Sequence, residues 1–133
     1  MAKSFELQMK EFENMTTEKS ELLFKKVCFD LSNSIIMDTA VLSGAARGRW
    51  APDINKIDNS TDEVFDKSGN ATVAKVATQT NNLKLGQYFT LTNNLPYILR
   101  LEYGWSKKSP QGMLGINVMR FQNFVNQANK DIK

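Results

Sequence analysis

The amino-acid sequence predicts a single small α+β domain, and three observations carry that expectation. Apolar residues recur every three or four positions from Leu23 to Ile35, and again from Leu114 to Ile132, which is the period of a helix with one buried face. Between those stretches, Phe89 and Leu91 alternate with Tyr88, Thr90 and Thr92, as in a half-buried strand. With 133 residues, of which 41% are hydrophobic, the chain can fill one core and not two, so residues 1–133 are expected to be one domain.

Residues 4–15 place Phe5, Met9 and Phe12 on one helical stripe, so 1–16 is expected to be an N-terminal helical arm. Thr17, with Glu18 and Glu21 behind it, has the form of an N-cap with acids in the first turn. The helix it opens should run to about Met37 on a stripe of Leu23, Phe24, Val27, Cys28, Leu31 and Ile35. Ser43 and Gly44 suit a turn and residues 45–48 one helical turn; Trp50 then opens an extended stretch toward Ile57, in which Pro52 limits pairing. Residues 53–69 are acidic and rich in turn formers and are expected to form a mobile surface loop.

Val73, Val76 and Ala77 predict a helix over about 71–83, with Gly86 as its stop. Residues 95–103 suit a short helix with Asn94 as cap and Pro96 near its start, and 104–112 a loop. Leu114, Val118, Phe121, Val125, Ala128 and Ile132 then follow steps of four and three, which predicts a long core-facing terminal helix.

Composition argues against chemistry. There is no histidine, which removes the usual general base and the commonest transition-metal ligand. The lone Cys28 lies among apolar residues and reads as a buried thiol. No glycine-rich phosphate loop is present, and Asp58, Asp62 and Asp66 lack the order of a calcium loop. A carboxylate pair such as Glu102 with Asp53 is the weakest alternative, so no enzyme activity, cofactor or metal is expected. No apolar run approaches the roughly 18 residues of a membrane span, and the opening residues lack a leader pattern, so no membrane partner is expected and the place of assembly should be the cytoplasm. Net charge is +3, with 7 Lys and Arg against 2 acids in residues 84–133. That half is the candidate for facing a polyanion.

Residues 93–113 concentrate turn formers, cations and aromatics: Asn94, Pro96, Tyr97, Arg100, Glu102, Tyr103, Gly104 and Trp105, then Lys107 and Lys108. Rigid aromatics beside Arg are the composition of an interface centre. The strings Asn94-Leu95-Pro96-Tyr97 and Leu101-Glu102-Tyr103-Gly104-Trp105-Ser106 resemble the signature of the small head-to-tail joining proteins of tailed bacteriophages, also called tail-completion or neck proteins. Residues 41–50 resemble the family segment in which a helix ends at an aspartate-threonine-glycine turn and runs through an arginine to a tryptophan. Here Leu42 and Ser43 replace the usual Asp and Thr, while Arg47 and Trp50 are kept.

The resemblance implies a short antiparallel sheet packed against an N-terminal and a long C-terminal helix, and a non-enzymatic virion protein. Six or twelve copies would form a ring in the neck, between the portal of the DNA-filled head and the tail tube. In such a ring Pro96, Tyr97, Tyr103 and Trp105 would meet a face of the next protomer carrying Arg47 and Trp50, although Trp50 suits a core better than an interface and Trp105 suits either equally. Glu102 would pair with Arg47 or Arg100 to set register. Lys107 and Lys108 would face a neighbouring ring or DNA in the lumen. A tail terminator is the alternative within the class. Outside it, the alternative is a small basic nucleic-acid-binding protein stacking bases on Tyr88, Tyr97 and Trp105.

Overall fold

The computed structural model describes residues 17–41, 43–60, 64–104 and 111–132. The predicted N-terminal arm, Leu42, Trp105, Lys107 and Lys108 lie outside them. Helix α1 (Thr17–Asp38) is the spine. Its Val27, Ile35 and Ile36 are buried, and Phe29 and Leu31 pack against the same core. Thr39 closes the helix: its N–H donates to Ile36 O and its hydroxyl to Ile35 O.

Gly44 then turns at φ +89, where a Cβ would sit 2.7 Å from the backbone nitrogens of Asp66 and Lys67, so only glycine fits. One helical turn, α2 (Ala45–Gly48), leads into β1 (Trp50–Ile54). β1 pairs antiparallel with β2 (Phe89–Asn93), with Trp50 opposite Asn93 and Ile54 opposite Phe89. Pro52 is accommodated because, among the described residues, β1 has one strand neighbour, β2. The ladder keeps Asp53 and Ile54 in the sheet, so the acidic connection begins after them.

That connection is tied at both ends. Thr90 of β2, Tyr88 just before the strand and Asn94 just after it donate side-chain hydrogen bonds to carbonyls of Asn55, Lys56, Asp58 and Ser60. Further on, the carboxylate of Asp66 accepts from Gly69 N–H and from both the N–H and the hydroxyl of Thr72. This satisfies orphan donors at the start of α3 (Asn70–Asn82). Burial raises the Asp66 pKa, but the bonds from Thr72, Gly69 and Ser68 outweigh it and hold the carboxyl below its usual value.

The core joins Ile35 and Ile36 of α1, Trp50, Val76 of α3 and Met113, with Phe89 and Leu91 from the inner face of β2. Helix α4 (Ile98–Glu102) follows β2; its Ile98 and Leu101 touch both this cluster and a second one of Ala45, Ala46 and Leu95. The chain is thus a small α+β domain with a two-stranded antiparallel sheet and helices at both ends.

The long C-terminal helical stretch stands as expected, but the direction of its first apolar positions does not. It divides at Arg120 into α5 (Leu114–Met119) and α6 (Phe121–Ile132). In the second part the stripe faces inward, with Ala128 fully buried and Val125 and Ile132 half-buried. In the first part it does not: Leu114 and Val118 are 45% and 58% exposed, and Phe121, at the start of the second part, is 46% exposed. The inward face of α5 is Met113 and Asn117 instead, both buried. Asn117 explains the rotation. Its amide donates to Asp38 Oδ2 and to Met113 O, and its oxygen accepts from Ser34. A side chain so fully paired can be buried, and it turns the neighbouring apolar positions outward.

Candidate assembly surface

The outward side of α4 is the concentration of exposed aromatics that the sequence places in residues 93–113. Ile98 and Leu101, three positions apart, face the core, which leaves Pro96, Tyr97, Leu99, Arg100 and Tyr103 exposed. Tyr103 is 78% exposed and Leu99 65%; Tyr103 N–H donates to Leu99 O at 3.0 Å, so the two side chains lie one turn apart on one face. Tyr97 precedes the first turn at 43% exposure. Gly104, at φ +84, ends the segment. Leu99 was missed as a site residue because its apolar neighbours Ile98 and Leu101 share the same run; its spacing of four from Tyr103 was the available signal.

Glu102 fixes this surface to the rest of the fold. Its Oε1 accepts from Met113 N–H and Leu114 N–H at 3.0 and 2.7 Å, and its Oε2 from Gly115 N–H at 2.8 Å. The carboxylate therefore caps the N-terminus of α5, where orphan donors and the helix dipole favour an anion. Burial raises its pKa, but the three N–H groups of Gly115, Leu114 and Met113 prevail and hold it below the usual carboxylate range. Gly112 makes the approach possible. It sits at φ +73, and a Cβ there would lie 2.2 Å from Glu102 O.

This corrects the expected pairing of Glu102 with Arg47. The Arg47 guanidinium is committed elsewhere, donating to Lys67 O at 2.8 Å, Met37 O at 2.8 Å and Thr39 O at 3.0 Å. It clips the end of α1 to the segment before α3. Trp50 is corrected as well. It is 4% exposed, in the core, and its Nε1 donates to Thr39 Oγ1 at 2.8 Å. Arg47 and Trp50 therefore do not form a receiving face. Asn94 does not cap α4; its amide donates to Asp58 O and Ser60 O. Its neighbour Asn93 organises the turn, accepting from Leu95 N–H and donating to Ala46 O.

Next to the Glu102 cap, the outward face of α5 adds Leu114, Val118 and Met119, the last 87% exposed, and Phe121 follows at the start of α6. Elsewhere, a groove of about 610 Å³ lies between the N-terminal half of α1, the end of α3 and the end of α6, lined by Leu22, Phe29, Ala77 and Ile132 with Lys25 and Lys26 at its side. Lys26 ties α1 to α6 there through ion pairs with Asp30 and Asp131. Cys28 is half-buried, and burial pushes its thiol up to about 11, which keeps it protonated. Among the described residues no three His, Cys, Asp or Glu side chains gather into a metal-holding group, and no helix is long and apolar enough to cross a membrane. No family model, curated protein or solved structure matches this chain.

Proposed function

We propose that this chain is a non-enzymatic structural protein of the phage neck, a tail-completion protein whose copies form a ring of six or twelve between the head portal and the tail. The observation that carries the reading is the exposed Tyr97, Leu99, Arg100 and Tyr103 face on α4. It coincides with the residues in which the sequence resembles the joining proteins. A face of this composition is what an interface core uses, since rigid aromatics and Arg gain the most on desolvation. The Glu102 cap supports the reading further, because a preformed surface loses less conformational freedom on binding.

The test is co-sedimentation of the full chain with purified portal and tail-tube proteins from its own phage, at about 50 and 500 mM salt. Binding driven by apolar contacts survives the change. Binding only to nucleic acid, falling steeply as salt rises, would replace this reading with the basic nucleic-acid-binding one.

A further inference from the structure

We infer that the α4 surface of one copy seats in the α1–α3–α6 groove of the next, so that the ring is built head to tail; the inference rests on the ring reading above. The two features lie at different levels of the same spine. α4 packs through Ile98 on the cluster containing Ile35 and Ile36, at the C-terminal end of α1. The groove is lined by Leu22, Lys25 and Phe29, toward the N-terminal end. Fourteen residues separate Leu22 from Ile36, about 20 Å along a helix. A projecting surface and a recess displaced along one axis make a heterologous contact, the kind that closes rings.

Size and chemistry agree. The groove holds about 610 Å³, room for several side chains, and its lining is apolar at Leu22, Phe29, Ala77 and Ile132. Tyr97, Leu99 and Tyr103 expose roughly 450 Å², and with Leu114, Val118 and Phe121 about 750 Å², near the ~800 Å² that each partner buries in a standard interface. A second copy is the occupant because this chain carries both halves.

The experiment mixes two variants, Leu99→Asp on the projecting surface and Ala77→Arg in the groove, both at exposed positions. Masses are read by native mass spectrometry, in the condition where the unaltered chain assembles, with far-UV circular dichroism as the check of folding. Each variant alone should stay monomeric, and the mixture should give dimers that grow no further, since one good surface and one good groove remain. Milder changes, Tyr103→Ala and Leu22→Ala, should each raise the concentration needed for assembly at least tenfold. A folded Ala77→Arg chain that still forms the full ring overturns the seat while leaving the ring reading intact. An unaltered chain that forms no ring, alone or with portal or tail-tube protein, overturns both.

Discussion

Trp50 donates its indole N–H to the hydroxyl of Thr39 at 2.8 Å, and Thr39 in turn donates to Ile35 O at 2.7 Å. Arg47 reaches the carbonyl of the same Thr39 at 3.0 Å. The end of α1, the start of β1 and the turn between them therefore converge on one buried threonine, 1% exposed. This accounts for an arginine and a tryptophan at this spacing without any role at the surface.

Removing that acceptor should be costly. Thr39→Val leaves the Trp50 N–H buried and unpaired, with an expected loss of about 1–3 kcal/mol, whereas Thr39→Ser keeps the hydroxyl and should lose less. Urea unfolding followed by far-UV circular dichroism separates the two; a Thr39→Val chain as stable as the unaltered one would show that the hydrogen bond contributes nothing.

Glu102 joins the exposed face to α5. Glu102→Ala abandons three N–H groups at the helix start and is expected to cost about 1–2 kcal/mol, in the range of a lost cap. Glu102→Gln keeps one acceptor and should lie between. Amide hydrogen exchange at Met113, Leu114 and Gly115 should speed up in both variants before the rest of the chain responds.

Gly112→Ala should be at least as damaging, since it adds strain at φ +73 to a clash with the Glu102 carbonyl. A fall of about 2 kcal/mol or more in urea unfolding is expected. An unchanged midpoint would mean that the loop shifts to take the methyl group.

Acid should weaken the fold at two defined places. Against the raising effect of burial, Glu102 is held low by the N–H groups of Gly115, Leu114 and Met113, and Asp66 by the hydroxyl and N–H of Thr72 with Gly69 N–H and the Ser68 hydroxyl. A carboxyl with a depressed folded pKa contributes stability above its unfolded value, and that contribution is lost as pH falls through the folded value. Stability should therefore be flat from neutral pH down to about 5 and decline below about 4. In the double variant Glu102→Gln, Asp66→Asn the decline should be shallower, which acid titration of the urea midpoint would reveal.

The fold was legible where one physical signal acted alone. The helices α1 and α3 and the Phe89–Leu91 alternation of β2 were visible because burial of an apolar face sets their period, but Ala77, read with Val73 and Val76, is exposed, and Ile36, left off the α1 stripe, is fully buried. What escaped were polar side chains that satisfy distant backbone groups. Glu102 lies 13 residues from Gly115 and Arg47 20 residues from Lys67, and nothing local marks either partner. The break at Arg120 escaped for a related reason: a four-three stripe gives no warning that Asn117 is buried by partners on α1. Of the candidate surface, Tyr97, Arg100 and Tyr103 were visible as exposed interface types, while Trp50, whose indole can serve a core or an interface, was legible as the better fit to a core.

The exposed face offers a prediction of the opposite kind. Leu99→Asp removes no buried contact and should leave the urea midpoint within about 0.5 kcal/mol of the unaltered chain, while abolishing assembly. A variant that is destabilised as well would place Leu99 in the fold and not at a partner.

The most direct test of the neck-ring reading is native mass spectrometry of the full chain, alone and mixed with the portal and tail-tube proteins that reading would make its partners. Six or twelve copies of the 15.1 kDa chain in one closed species, alone or on the partner ring, is the predicted result. A monomer in every mixture, whatever the concentration, would contradict it.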